Sequence, residues 1–346
     1  MKKFLHKIKF DKWKAWLYLL PAIILLVIFT VWPIINTVKM AFTVRWDPDM
    51  GFDIDGDGID DLFGGYKPYS VMEDVNSEEK LEYEFGFSNF TDVVQDAGFK
   101  IIMKNTILLC VLTVPISTFL ALLIAVCLNA IKPLQRFLQT IFFLPYVTNS
   151  IAIGMVFAAM FNIVGRDPSN LAASTSLGII NSILGVFGVD PINWINQGSS
   201  YAANITVMII YIVWNALPFK ILILLGGLQS VNKQYYDAAK IDSTPKWRVF
   251  SKITVPLLSP MIAYVVITGF IGGFKEYTSI VGIFGEKMGP PGSSMSVPVL
   301  QTMVGYIYKQ LGNNEGRASA AALILFAIIF VVTLINLGVS KKKTHY

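Results

Sequence analysis

The chain has 346 residues, of which 54% are hydrophobic and only 15% are charged. Soluble proteins carry about 25% charged residues, and here the apolar residues fall in blocks long enough to cross a bilayer. This composition excludes a disordered chain, a small disulfide-stabilised domain and an ordinary soluble enzyme. The net charge of +5 does not indicate nucleic-acid binding, because the basic residues lie near the ends of the apolar blocks.

Six apolar blocks are long enough to be membrane spans, which predicts an all-α integral membrane protein with six transmembrane helices. We interpret the first block as a retained span, because it is too long for a signal peptide and lacks a small-residue cleavage site. The blocks run over residues 17–41, 101–129, 137–161, 201–228, 257–283 and 318–337.

The distribution of lysine and arginine predicts the orientation of the chain. Basic residues mark segment 1–16, two short loops and tail 338–346, which must share one side if there are six spans. The positive-inside rule places these segments and both termini in the cytoplasm of a bacterial plasma membrane. Residues 17–42 form the first span, and residues 43–100 form a strongly acidic extracellular loop. Segment 1–16 is interpreted as lying on the inner leaflet, with a short disordered tail as the alternative.

A cytoplasmic segment over residues 235–260 is too polar to be a span, yet both of its halves have helical spacing. Ser243, Thr244 and Pro245 separate the halves, which predicts two short helices joined at a bend. Exposed aromatic residues on such helices indicate a protein partner. The alternative is a surface helix that packs only on its own bundle.

This segment resembles the EAA loop of binding-protein-dependent ABC importer permeases. Asp237, Ala238 and Ala239 occupy the E-A-A positions, and Asp242 matches the family aspartate. The second half matches through Phe250, Ile253, Pro256, Leu258 and Pro260. Two positions depart from the pattern: Asp237 replaces glutamate, and Ser243 replaces a glycine at a bend that needs a positive φ.

Further short matches extend the resemblance over residues 101–337, which are expected to form the permease domain. They are Gly227–Gln229, Asn105–Thr106, Phe143–Pro145, Ile180–Asn181 and Asn193–Trp194. The most similar family members are sugar and oligosaccharide permeases of the maltose type, which implies the type I ABC importer (MetI-like) fold. Residues 231–258 would then be the coupling loop, whose ATPase-coupling residues are Tyr236, Asp237, Ala238, Ala239, Asp242 and Ser243.

The chain contains no G-x-x-x-x-G-K-[ST] motif, so we expect a transport permease and not an enzyme. ATP with Mg²⁺ would bind a separate subunit. The resemblance implies four kinds of partner: a second, homologous permease subunit, two ATP-binding cassette subunits, an extracellular solute-binding protein and the lipid bilayer. Nucleic acid is not an expected partner.

Polar and aromatic residues interrupt the third, fourth and fifth spans, and such residues usually face a cavity because exposure to lipid is costly. Lys220 is among these interruptions. The alternative is polarity that serves helix packing and proline kinks. The polar residues that interrupt these spans and the family resemblance together predict a substrate pathway for an oligosaccharide. The candidate pathway residues are Tyr146, Asn149, Ser150, Ile212, Asn215, Ala216, Phe219, Phe270, Gly273, Glu276 and Tyr277.

The acidic loop carries a pattern similar to short extracellular calcium loops. Asp53, Asp55 and Asp57 alternate before Gly58, Ile59 offers a backbone carbonyl, and Asp61 adds a further carboxylate. Alternating carboxylates around a glycine turn supply the oxygen ligands that Ca²⁺ prefers. We therefore expect a Ca²⁺ site here, with a solvated acidic loop as the alternative.

Other functions were weighed against the carbohydrate importer. An ABC permease for a non-sugar solute remains open. An ion-coupled secondary carrier would need inverted repeats and a buried carboxylate relay, for which Glu276 alone is weak support. A membrane enzyme would need converging acid–base or metal groups, and the two histidines, His6 and His345, are terminal.

Overall fold

A computed structural model describes residues 16–52, 62–68, 83–131, 137, 139–141, 146–165, 176–292 and 298–343. The chain divides into two compact units. The first contains residues 1–96 and 307–324, and the second contains residues 97–306 and 325–346.

The first unit begins with α1, Trp16–Phe42, which matches the predicted first span and contains one π-helical stretch, Val27–Val31. Three strands follow: β1 Thr43–Phe52, β2 Leu62–Pro68 and β3 Tyr83–Phe85. They form an antiparallel sheet in the order β2-β1-β3. The chain is mainly helical as predicted, but this small sheet was not predicted from the acidic segment.

The helix α2, Ser88–Gln95, holds the end of α1 through one buried asparagine. The amide nitrogen of Asn89 donates to the carbonyl oxygens of Ala41 and Thr43, both at 3.1 Å. These carbonyls lie where α1 ends and β1 begins, so the side chain replaces hydrogen bonds that the helix can no longer supply. On the same helix, Asp92 accepts from the Arg317 guanidinium at 2.9 Å.

The remaining helices include the long spans. In chain order they are α3 Phe99–Ala130, α4 Ser150–Phe161, α5 Gly178–Val186, α6 Tyr201–Ser230, α7 Lys233–Ile241, α8 Lys246–Leu257, α9 Ser259–Phe274, α10 Thr278–Phe284, α11 Met303–Gln310 and α12 Glu315–Lys343.

Four described helices, α1, α3, α6 and α12, are long and apolar enough to cross a membrane, and α8 with α9 forms a fifth candidate bent by 68°. The bounds of the first four agree with the predicted spans to within a few residues, apart from the longer ends of α12. The span predicted over residues 137–161 is described only in part, and α4 is its apolar helix.

The span predicted over residues 257–283 is not one helix, which corrects the sequence interpretation. α9 ends at Phe274 and α10 begins at Thr278, with Lys275, Glu276 and Tyr277 between them. The N–H of Lys275 donates to Gly272 O and that of Glu276 to Gly273 O, which tightens the last turn of α9 and then ends it.

The apolar core of the second unit is built around the pairing of α3 with α6. Ala121, Leu122 and Ala125 of α3 pack with Leu224 and Leu225 of α6 in one buried cluster. A second cluster surrounds Tyr211, which is fully buried and donates through its hydroxyl to Ser150 O at 2.6 Å. These clusters leave polar residues of α3 and α6 facing each other at the level of Lys220.

Candidate functional site: a polar cavity and a cytoplasmic elbow

A cavity of about 290 Å³ lies between α3, α6 and α9, and we call it the polar cavity. Seven of the predicted pathway residues line it: Tyr146, Ile212, Asn215, Ala216, Phe219, Gly273 and Glu276. The structure therefore brings together residues from three separate regions of the chain that the sequence interpretation assigned to one pathway.

An aromatic pair forms part of the cavity wall. The rings of Tyr146 and Phe219 stack with centroids 5.9 Å apart and an interplanar angle of 19°. Tyr146 is half exposed, so the ring presents a face to the cavity side. Asn215 lies one helical turn before Phe219 on α6 and adds an amide that both donates and accepts hydrogen bonds.

Four predicted pathway residues do not line the polar cavity. Asn149 caps α4, where its side-chain oxygen accepts from the N–H groups of Ile151 and Ala152. Ser150 begins α4 and offers its carbonyl to Tyr211. Phe270 accepts a weak hydrogen bond from Cys110 at 3.6 Å through its backbone carbonyl, and Tyr277 packs against an apolar cluster. These residues hold the helices that carry the cavity.

The sequence interpretation missed all three residues that α3 contributes to the cavity wall. Polar residues four positions apart in an apolar helix lie on one face, which was a usable signal for Thr113 and Ser117. The lining residues absent from the predicted set are Thr113, Val114, Ser117, Lys220, Thr268, Gly269 and Gly272.

Lys220 is the buried cation of the polar cavity, with a relative exposure of 5%. Its ammonium donates to Ser117 Oγ at 2.7 Å, to Thr118 Oγ1 at 2.9 Å and to Val114 O at 3.2 Å. The three oxygens belong to two adjacent turns of α3, so the lysine links α6 to α3.

Glu276 lies at the break between α9 and α10 and also lines the cavity. Its Oε1 accepts from the N–H of Ser279 at 3.2 Å, and its carbonyl accepts from Thr302 Oγ1 at 2.8 Å. A carboxylate beside the first N–H groups of a helix is a favourable arrangement, so the broken helix holds the acid in place.

Two glycines of α9 allow the close approach of α3. A Cβ atom on Gly273 would lie 2.9 Å from Cys110 Sγ, and one on Gly269 would lie 3.2 Å from Lys220 Nζ. A Cβ atom on Gly272 would meet nothing within 4 Å. Close packing therefore favours glycine at positions 269 and 273, whereas position 272 borders free space in the cavity.

Amide side chains hold the segments near the cavity. Buried Asn105 donates to the carbonyls of Val299 and Gln301 and accepts from the Tyr201 hydroxyl at 2.7 Å. Asn181 bonds both backbone groups of Ile192 and accepts from Trp194 Nε1 at 2.9 Å. The pairs Asn105–Thr106, Ile180–Asn181 and Asn193–Trp194, singled out in the sequence, therefore lie at structural joints.

The cytoplasmic segment forms two helices, α7 and α8, that meet at a bend over residues 242–245, as the sequence predicted; we call this bend the elbow. Ser243 has a φ of 49°, in the left-handed region where the family pattern has glycine. Its N–H donates to Lys240 O, and the N–H of Thr244 donates to Ala239 O at 2.9 Å. These bonds satisfy the last carbonyls of α7.

The coupling residues divide into an exposed and a packed group. Asp237 and Ala238 are exposed, and Asp237 makes a weak surface ion pair with Lys240 at 3.4 Å. Ala239 is only 5% exposed. The Tyr236 hydroxyl lies 3.4 Å from Thr254 Oγ1, which joins α7 to α8. Large apolar side chains are nevertheless exposed beside the elbow, at Ile241 and Trp247.

The predicted calcium ligands, Asp53, Asp55, Asp57, Ile59 and Asp61, lie outside the described residues. Within the described ranges, no group of three or more His, Cys, Asp or Glu side chains could hold a metal ion. The calcium site stays a prediction, which protease protection of residues 43–100 in millimolar calcium and in chelator would test.

The described helices include several that are long and apolar enough to cross a membrane, and three of the helices enclose a cavity that carries aromatic, amide and charged groups. The chain belongs to the family described as binding-protein-dependent transport system inner membrane component, which matches residues 114–345. It is therefore a multi-pass membrane permease of an ABC importer and not an enzyme, and ATP is hydrolysed on separate subunits.

Curated relatives cover most of the chain. An arabinooligosaccharides transport system permease protein of Bacillus subtilis is 31% identical over 74% of this chain and 75% of its own length. A lactose transport system permease protein of Rhizobium radiobacter is 26% identical over 93% of this chain and 91% of its own length. The chain is thus similar to permeases that are named for sugars.

A solved structure has the same fold. The crystal structure of a bacterial ABC transporter involved in the import of the acidic polysaccharide alginate contains a chain with a TM-score of 0.69 and 20% identity to this one. The match covers 99% of this chain and 100% of the other. At this identity the likeness concerns the fold alone, and it supports the type I importer architecture that the coupling loop predicts.

Proposed function

We propose that this chain forms half of the translocation pathway for a carbohydrate, most simply an oligosaccharide, in a bacterial ABC importer. The stacked Tyr146–Phe219 pair in the polar cavity carries this proposal. Aromatic faces pack against the apolar face of a pyranose ring, while Asn215 and Thr268 can bond the hydroxyl groups around its edge. The sugar-named relatives point to the same class of solute.

The partners follow from the features of the chain. It has one EAA-like loop and no nucleotide-binding motif, so one ATPase subunit would dock at the elbow of each permease. We expect a second permease to complete the pathway and an extracellular solute-binding protein to deliver the sugar. Maltose-type systems use two different permeases, which favours a heterodimer here.

The test is uptake of labelled glycans by proteoliposomes that contain the complete transporter and its binding protein. Tyr146→Ala should lower the uptake rate by about threefold to tenfold, because it removes one ring from the wall that stacks on the sugar. The matched control is Phe326→Ala, which removes one ring of the Phe326–Phe330 pair, stacked at 6.1 Å and outside the polar cavity.

Equal loss of uptake in both variants would contradict the role of the ring pair. Uptake of an amino acid or a metal ion, with none of any glycan, would overturn the carbohydrate proposal and favour a permease for a non-sugar solute.

A further inference from the structure

The charge on Lys220 has no counter-ion among the residues that the structure describes. Ion pairs within 4.0 Å among the described residues include Lys240–Asp237 and Arg317–Asp92, neither of which involves Lys220. The partners of Lys220 are two hydroxyls and one carbonyl, all of them neutral. They satisfy its N–H groups but leave its positive charge uncompensated, and burying such a charge is costly.

The hydroxyl groups around the ammonium are arranged as acceptors. Ser117 Oγ donates to Thr113 O at 2.5 Å, and Thr118 Oγ1 donates to Val114 O at 2.7 Å. Their protons are therefore committed to the α3 backbone, and their lone pairs face Lys220. This arrangement, which we call the cradle, holds a cation at the cavity wall and gives it no negative charge.

Glu276 lines the same cavity but does not neutralise Lys220. The ammonium lies beside Gly269, which is seven residues before Glu276. α9 continues for five residues beyond Gly269, or about 7.5 Å, and Glu276 lies in the break beyond it, where its carboxylate bonds the N–H of Ser279. The cationic group of the cavity, Lys220, and its acidic group, Glu276 near the start of α10, thus occupy separate parts of the lining.

We propose that Lys220 recognises a negatively charged substituent, a carboxylate or a sulfate, on the transported glycan. Lys220 and the stacked Tyr146–Phe219 pair line the same cavity, so an anionic group on a sugar bound there can meet the ammonium. One N–H then turns from the cradle to the anion, which supplies the missing counter-charge. This inference rests on the proposed import of a carbohydrate and specifies in addition that the carbohydrate is negatively charged.

The test compares length-matched glycans, one neutral, one carboxylated and one sulfated, in proteoliposomes that contain the complete transporter. The affinity of the binding protein for each glycan is measured separately, so that normalised uptake rates report on the permease. The wild type should favour at least one anionic glycan over the neutral one. Lys220→Met should lower uptake of that glycan by about tenfold or more, as for a lost hydrogen bond to a charged group, and uptake of the neutral glycan by a clearly smaller factor, so that the preference for the anionic glycan is lost.

Two control variants separate recognition from a purely structural role. Thr118→Val removes one cradle oxygen but keeps the charge, so the preference for the anionic glycan should persist. Lys104→Met removes a lysine that lies 4.8 Å from the Tyr201 ring centroid and outside the cavity, so the preference should again persist.

Equal losses for neutral and anionic glycans in Lys220→Met, repeated in Thr118→Val, would reduce Lys220 to a tether between α6 and α3 and overturn the inference. If the transporter that carries Lys220→Met does not assemble, glycan uptake by the wild-type transporter is the test. A normalised preference of the wild type for the neutral glycan contradicts the inference. Import of no glycan at all would instead contradict the proposed function.

Discussion

At the scale of single residues, the elbow contains the clearest local conflict between side chain and backbone. Ser243 adopts a left-handed conformation that costs a residue with a Cβ atom about 1–2 kcal/mol. Glycine, which stands here in the family pattern, avoids that cost. The serine therefore makes the bend between α7 and α8 less stable than it could be.

Replacing this residue gives the first prediction. Ser243→Gly should stabilise the elbow by about 0.5–1 kcal/mol, because removal of the left-handed strain exceeds the entropy that glycine loses on folding. The measurement is hydrogen exchange of the amides over residues 242–246, which should slow in the variant.

The matched control is the neighbouring Thr244, which is not among the described residues with a positive φ. Thr244→Gly should destabilise the same bend, since glycine there adds flexibility and relieves no strain. Faster exchange in Ser243→Gly than in the wild type would contradict the argument.

At the scale of elements, the two helices of the coupling loop present a mixed surface. Ala238 is exposed, whereas Ala239 is buried and lines a groove of about 350 Å³ with Tyr236, Phe250 and Thr254. The sequence alone treated Ala238 and Ala239 as one surface for the ATPase. A substitution at Ala239 would disturb packing within the chain, so Ala238 is the better probe of docking.

We therefore expect Ala238→Glu to weaken coupling. The added bulk and charge lie on the exposed face of α7, where they would obstruct a docked ATPase subunit without a loss of internal packing. Transport and solute-stimulated ATPase activity should fall by about tenfold, which corresponds to roughly 1.4 kcal/mol of docking energy, while the affinity of the transporter for its binding protein is kept.

The control makes the same change at an exposed alanine in the first turn of α6. Ala202→Glu places the carboxylate at a helix N-terminus, where it is tolerated or favourable. Its ATPase activity should remain near the wild-type value. Unchanged transport in Ala238→Glu would count against the assignment of α7 as the docking helix.

At the scale of the whole molecule, the chain contains the polar cavity and one EAA-like loop, and its sequence has no ATPase motif. Sugar-named relatives align over most of the chain, and the family match reaches residue 345. Our proposed assembly of two different permeases and two ATPases gives each ATPase one EAA-like loop.

Native mass spectrometry of the purified importer tests this composition. We expect one copy of this chain, one copy of a second permease and two ATPase subunits, because a single coupling loop serves a single ATPase. Expression of this chain with the ATPase alone is the control and should give no stable transporter. A functional complex with two copies of this chain and no second permease would contradict the heterodimer.

Features that depend on local sequence could be predicted from the sequence. Span lengths follow from the number of apolar residues that a bilayer needs, so the bounds of α1, α3 and α6 were predicted to within a few residues. The elbow also depends on local residues, because Ser243 to Pro245 interrupt two helical patterns. The position of Tyr146, Asn215 and Phe219 in one cavity was predicted with help from the family resemblance.

Only the tertiary structure showed which distant residues share the cavity and where the last predicted helix of the pathway breaks. Ser117 and Thr118 lie about a hundred residues before Lys220, and their contact with it depends on how α3 packs on α6. α9 ends at Phe274, and Glu276 just beyond it is bonded to Ser279 and Thr302, the second of which is 26 residues away in the chain. The sequence determines how far each helix can extend, because hydrophobic length is local. Packing determines where the buried charge of the cavity lies, because the ammonium of Lys220 is held by three acceptors that belong to another helix.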